Sequence, residues 1–346
     1  MDLSHGELVK VLRQHTEALA LPEGRRVGQL GHAIAEQYLL REMTDLDLEP
    51  FTDESYKIEY TLPHPNGQKP QKFTNLVGVI PGRNRDLPPI LLGAHYDSVI
   101  DAPCADDNAT SVAHNLVLAR NYAEHPLERD IIIAFFDAEE PPFFLGETMG
   151  SRRFCEDYCS EIKFAAVIVT DLVGHDAEPA DLGLPTAAKL AMPHIKDLVA
   201  VMGAESHEIL PGIVEQAAGN AKKIRILAIP HEHIGPMSDH AAFADAGQPF
   251  LFLSCGQGRH YHTPNDTIEW VNFDKLAHIT RFIAEIVDQI DTTQSPVEAK
   301  DFEIRLLHKA LGRVAITAMK VAGIKIPKSS EEYGQFVANL VDGKLM

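Results

Sequence analysis

Apolar positions at the start of the chain recur with helical spacing. Leu8, Val11 and Leu12, then Val27, Leu30, Ile34, Leu39 and Leu40, would line one face of a helix. Pro22-Glu23-Gly24 interrupts the pattern, so residues 1–45 are expected to form two helices. Residues 55–90 alternate extended segments with turn residues such as Pro65-Asn66-Gly67. Short runs that are apolar at nearly every position follow: Leu76 to Ile80, Pro89 to Leu92, Ile131 to Phe136, Ala165 to Val169, Ile224 to Ile229 and Phe250 to Leu253. Such runs suit strands covered on both faces. Helical patterns lie between them, over Asp107 to Ala123 and from Asp274 through Leu276, Ile279, Ile283, Ile286 and Ile290. The alternation predicts an α/β fold of three layers, α/β/α, around a central mixed, largely parallel sheet. Residues 1–294 are read as one catalytic domain that includes the N-terminal helices. Residues 295–346 are read as a helical extension, with an amphipathic helix (Ile304, Leu307, Leu311, Val314, Met319) and a second helix from Ser330 to Val341. It carries no recognisable chemistry and is expected to serve packing or homo-oligomer formation.

Charge narrows the function classes. The 346 residues hold 31 Lys and Arg against 50 Asp and Glu, a net charge of −19, which argues against a nucleic-acid partner. No stretch approaches the roughly 18 apolar residues of a spanning helix, so no membrane role is expected. The opening residues Met1 to Glu7 show neither the basic nor the apolar region of a secretory signal. The four cysteines, Cys104, Cys155, Cys159 and Cys255, are too few for a disulfide framework. A reduced, cytoplasmic protein is the expectation. Cys155 and Cys159 would share a helix face and pack there.

The polar residues after the apolar runs carry the chemistry. In open α/β sheets, ligands collect at the carboxyl ends of strands. Here His95-Tyr96-Asp97 follows one run, Asp137-Ala138-Glu139-Glu140 another and Thr170-Asp171 a third; His260-Tyr261-His262 follows the last. Asp106-Asp107-Asn108 stands before a helix, where capping alone would explain it; beside the other clusters, a metal site explains it better. A set of imidazoles and carboxylates without thiolate suits Zn²⁺, Mn²⁺ or Co²⁺. Two histidines and three carboxylates exceed the needs of one catalytic zinc and suit a pair of ions. Of adjacent Glu139 and Glu140, one can bind metal while the other accepts a proton.

As a set, His95-x-Asp97, Ala105 to Ala109, Phe136 to Glu140, Asp171 to Gly174, Ser238-Asp239-His240 and Tyr261-His262-Thr263-Pro264-x-Asp266-Thr267 resemble metallopeptidase family 28, the two-zinc aminopeptidases, over about Asn75 to Ile290. The resemblance implies that His95 and Asp171 hold one ion, Glu140 and His262 the other, and that Asp107 bridges them. Glu139 would be the general base, Asp97 would orient His95, and Asp106 would support the bridging loop. Tyr261 would help polarise the scissile carbonyl, and Asp239 and His240 would stand behind the ligands or beside the substrate. The implied cofactors are two divalent ions, zinc first, and the implied substrates are peptides with a free N-terminus.

Two departures stand out. Cys104 and Ser111 replace the glycines that usually flank the bridging loop. Pro141 to Met149, rich in apolar and aromatic residues, intervenes between Glu140 and Gly150-Ser151, and is expected to line the pocket for the first side chain of the substrate. A similar segment occurs in the related glutaminyl cyclases, which cyclise N-terminal Gln, usually with one zinc. That is the alternative reading, although Tyr261 before His262 favours the peptidase. A catalytically silent binding relative is a third reading, disfavoured by the intact ligand set. His231-Glu232-His233 is read as a rim loop rather than a second metal site.

Overall fold

The computed structural model describes residues 1–52, 55–63, 69, 71–178, 195–293, 295–297, 299–321 and 323–341; the turn expected at Pro65-Asn66-Gly67 lies outside them. Among the described residues, one sheet contains β1 (Glu49–Pro50), β2 (Lys57–Leu62), β3 (Gln71–Ile80), β4 (Ile90–His95), β5 (Ile131–Phe136), β6 (Ala166–Thr170), β7 (Leu198–Met202), β8 (Arg225–Ile229) and β9 (Phe250–Ser254). The strand order is β1-β3-β5-β4-β6-β9-β7-β8, with β2 paired to β3. The centre, β5-β4-β6-β9, is parallel, while β3 and β7 run antiparallel to β5 and β9. The sheet is therefore mixed and largely parallel at its core. β7 was not legible in the sequence: Leu198-Val199-Ala200-Val201-Met202 is an apolar run too short for periodicity to tell strand from helix.

Alternate residues of each central strand feed two cores. Ile90, Leu92, Ile131, Ile133 and Leu251 meet α1 (His5–Leu19), α2 (Leu30–Asp45), α3 (Thr110–Glu124), α5 (Leu210–Asn220) and α7 (Phe273–Thr292). On the opposite face Leu91, Ile132, Val167 and Phe252 meet α4 (Gly150–Tyr158), α6 (His240–Asp245), α8 (Phe302–Val321) and α9 (Ser330–Val341). This is the three-layer arrangement. Cys155 and Cys159 lie on one side of α4 with their sulfurs 2.9 Å apart, Cys159 in the second core.

Two helices differ from the pattern-based expectation. In α2, Leu30 is 72% and Ile34 37% exposed, whereas His32, Ala35, Leu39 and Met43 are buried. The helix is turned so that His32 reaches the buried Asp137, 2.9 Å away, and a polar pair sets its rotation. The helix expected from Asp107 begins as α3 at Thr110, because Asp107 and Asn108 leave helical backbone angles.

In the C-terminal segment, Ile304, Leu307, Leu311 and Met319 of α8 are buried together with Leu227 and Ile229 of β8. Tyr333 of α9 donates to the carbonyl of Ala228 at 2.5 Å. The apolar face of the extension is thus covered by its own sheet. No helix among the described residues is long and apolar enough to cross a membrane.

Candidate metal centre

The parallel register sets His95, at the end of β4, beside Phe136, at the end of β5. The next turn carries Glu139 and Glu140. Asp97 holds that turn: its buried carboxylate accepts from the amides of Glu139 and Glu140, each at 3.1 Å. One oxygen also lies 3.4 Å from Nδ1 of His95. Asp171 follows β6, and His262 arrives on the loop after β9.

Six expected residues converge. Nε2 of His95 lies 3.4 Å from Oδ1 of Asp107, 3.6 Å from Asp171 and 3.8 Å from Glu139. Nε2 of His262 lies 3.3 Å from Oδ2 of Asp107 and 3.0 Å from Glu140. The two oxygens of Asp107 therefore face different histidines. Ligand atoms fall within 4.8 Å of one another in two overlapping groups, His95-Glu139-Asp171 and His95-Asp107-Glu140.

These side chains are close without satisfying one another. Both ring nitrogens of His95, Oδ2 of Asp107, Oε1 of Glu140, Oδ1 of Asp171 and Nε2 of His262 are buried without a hydrogen-bond partner. Buried polar atoms are seldom left so. Burial holds Glu139 well above the usual carboxylate range, with Asp171 and Glu140 adding to it and His95 opposing it. Burial and the charge of Asp107 push Glu140 up to about 8. Burial would lower His262, but Asp107 and Glu140 raise it to about 10. An excess of buried carboxylate, with unpaired lone pairs converging on shared points, is what divalent cations would compensate. The donor set fits such ions.

Further residues hold this arrangement: Asp106, expected from the sequence to support the bridging loop, and Asp266, His175, Asn108 and Arg25, for which no role is expected from the sequence. Asp266 accepts from the amides of Asp106 and Asp107 at 2.9 and 3.0 Å. Asp106 in turn accepts from the amide of Gly174 and meets Nδ1 of His175, both at 2.6 Å. Asn108 donates to the carbonyl of Thr170. Arg25, 1% exposed, spends all five N–H groups on backbone carbonyls: Tyr96, Leu19, Pro103, Cys104 and Asp107, at 2.8–3.2 Å. Asp266 stood within a quoted motif; Arg25, beside the Pro22-Glu23-Gly24 break, gave no signal.

The backbone is unusual at the same places. Seven described non-glycine residues have positive φ, and four of them, Cys104, Ala138, Leu172 and His262, are in or beside the ligand loops. Cys104, at φ +43°, occupies a conformation that glycine adopts freely, which explains why the family pattern has glycine there. Ser111 sits inside α3, where glycine has no advantage.

The remaining expected residues lie around this cluster. Tyr261 stacks on His262 at 3.7 Å, and burial, with the surrounding carboxylates, keeps its hydroxyl protonated. Asp239 is buried with both oxygens unpaired, and burial pushes it up to about 7. His240 turns to an apolar wall, stacked 4.0 Å from Phe252, and burial lowers it to about 3. His231-Glu232-His233 borders a groove shared with Ser330, Glu331 and Glu332 of α9. A cavity of about 280 Å³ adjoins Asp97 and Glu140 and is walled by residues 26–29 and by Pro141, Pro142 and Phe143.

Peptidase family M28 matches residues 75–287. Among sequence relatives, the chain is 27% identical over 56% of its length to Uncharacterized protein YfbL of Escherichia coli (strain K12), covering 64% of that protein. It is 37% identical over 36% of its length to the vacuolar membrane protease of Schizosaccharomyces japonicus, but spans only 14% of that protein. To Aminopeptidase YwaD of Bacillus subtilis it is 28% identical, over 60% of this chain and 42% of that protein. Among solved structures, LapA aminopeptidase of Legionella pneumophila shares the fold with a TM-score of 0.62 at 16% identity, over 84% of this chain and 74% of that one. Fimbriiglobus ruber glutaminyl cyclase does so with a TM-score of 0.61 at 17% identity, over 83% and 96%.

Proposed function

The chain belongs to peptidase family M28, and from that premise we propose that it is a metal-dependent aminopeptidase that removes N-terminal residues from peptides. The observation that carries this reading is Asp107, whose two carboxylate oxygens face His95 and His262 separately, as a bridge between two cations requires. His95 and Asp171 would hold one ion, Glu140 and His262 the other; zinc is the first candidate for both. When bound, two divalent cations lower the pKa of a water molecule toward about 7 and polarise a carbonyl oxygen.

The protein's own residues supply the rest. Glu139, held in its turn by Asp97, takes the proton from the attacking water and returns it to the leaving amine. Tyr261, a neutral hydroxyl beside the cluster, donates to the developing oxyanion. The α-amino group of the peptide would meet excess carboxylate, which favours cleavage at the N-terminus. Its first side chain would enter the cavity bounded by Pro141, Pro142 and Phe143.

The aromatic loop after Glu140 and the glutaminyl cyclase neighbours support a second reading, cyclisation of N-terminal Gln. Metal-loaded protein incubated with peptides that begin with Gln, Leu, Ala or Arg separates the two by mass spectrometry. Loss of whole residues supports the peptidase; loss of ammonia from the Gln peptides alone replaces it with the cyclase.

A further inference from the structure

A second group of ligand-type side chains, sharing no residue with the first, lies where α1 packs on α7. His5 is the first residue of α1, placed there by Ser4, which forms a reciprocal capping box with Glu7. Asp274 and His278 stand one turn apart on α7, so both face the same way. Nε2 of His5 is 2.6 Å from Oδ1 of Asp274, and Nε2 of His278 is 3.9 Å from Oδ2. The two imidazoles stack with centroids 4.5 Å apart and planes 24° from parallel. All three ligand atoms lie within 4.8 Å of one another.

A hydrogen-bonded His–Asp pair at a helix start has an ordinary explanation, since an acid in the first turn favours the helix dipole. The pair does not account for the second imidazole. Two stacked rings at this distance repel if both are protonated, and partial burial and the proximity of His5 keep His278 below its ordinary value. Neutral imidazole is the form that binds metal. Bonds of about 2.0–2.1 Å in a tetrahedral site place ligand atoms about 3.3 Å apart. To reach that spacing Asp274 opens from 2.6 Å on His5 and closes from 3.9 Å on His278, and the two rings turn out of their stack; exposures of 38%, 73% and 25% leave the three side chains room to do so. The cations near the cluster are Lys223 and Arg281; Arg281 is already engaged with the carbonyl of Leu3. The overall charge of −19 favours an incoming cation.

We propose that His5, Asp274 and His278 form a surface site for a zinc-class divalent cation, with water as the fourth ligand, that clips α1 to α7. It is separate from the carboxylate cluster at the sheet edge and does not depend on that cluster's function. His5 lies outside the region that matches the family, whereas Asp274 and His278 lie within it, so the clip would join the N-terminal segment to the family region.

The test is equilibrium dialysis against micromolar Zn²⁺ with metal counted by mass spectrometry, for the full chain and for His278→Ala and Asp274→Asn. The parent protein is expected to hold one equivalent more than either variant, and zinc is expected to raise its unfolding temperature by an increment that both variants lack. A cooperative unfolding transition in chelator shows that each variant folds, and the zinc increment is read from each protein's own chelator value. Because the readout is a difference, it holds whatever number of ions the sheet-edge cluster takes; His262→Ala should lower the total and leave that difference intact. Equal counts in parent and both variants overturn the clip.

Discussion

Replacing Arg25 by Met should destabilise the metal-free protein by about 3–5 kcal/mol. Five carbonyls, among them those of Tyr96, Cys104 and Asp107, would lose a charged donor at once. Hydrogen bonds to charged groups contribute about 1.5–3 kcal/mol each, so a simple sum lies near 7–15 kcal/mol. Two effects reduce it: burying the guanidinium itself costs several kcal/mol, and water entering the vacated space can satisfy some carbonyls. Each carbonyl left dry without a donor costs about 1–3 kcal/mol, so two or three of the five account for about 3–5 kcal/mol. Arg25→Lys keeps the charge but offers three donors to five acceptors, and should lose about half as much. Urea unfolding in chelator measures both without a contribution from bound metal. At a slope of about 3 kcal/mol per molar, Arg25→Met should lower the midpoint by at least about 1 M. A loss under about 0.5 kcal/mol would refute the clamp and mean that the loops carrying His95 and Asp107 are held by other contacts.

Glu139→Gln should lower kcat about 10²–10⁴-fold on a peptide substrate with metal content unchanged; retained turnover means that another group moves the proton. Asp266→Asn should weaken metal affinity about 10–100-fold in chelator competition, because one of the two acceptors for the amides of Asp106 and Asp107 becomes a donor. Burial lowers His114 from 6.5 to about 3, so its contribution to stability is full above pH 6.5 and declines as pH falls toward 3. At about 1.4 kcal/mol per pH unit, His114→Asn should lose about 2 kcal/mol less than the parent between pH 6.5 and pH 5, read from urea midpoints at both pH values. Ending the chain at residue 294 would uncover Leu227 and Ile229 of β8, so the shortened protein should bind a hydrophobic dye or aggregate if residues 295–346 act as a packing appendage, as we propose.

The sequence was most legible where one rule governed many residues. Uniformly apolar runs located the inner strands, and acids or histidines after them located the loops that meet at His95. Helix rotation was legible only where burial was apolar: α2 turned away from its Leu30–Ile34 face because His32 pairs with Asp137, a contact 105 residues distant that no local period encodes. Arg25 was hidden for the same reason, since its partners are main-chain carbonyls that any side chain could accompany. Asp266 could have been found. An acid fixed two residues past the Thr-Pro of the His262 motif has no helix to cap there, and that deserved a functional question.

The left-handed residues beside the ligands bear on how this protein could be engineered. Non-glycine residues in sparsely populated backbone regions each forgo about 1–3 kcal/mol, and Cys104, Ala138, Leu172 and His262 stand at the loops that meet in the cluster. A search for thermally tolerant variants should therefore find glycine at 104 or 138 early, because either change relieves strain without removing a ligand. The same change gives back the freedom that the strained residue denied to the loop. At 138, beside Glu139, melting temperature and turnover should move in opposite directions; at 104, where the family pattern carries glycine, turnover should hold, so the two positions separate strain that serves the reaction from strain that does not.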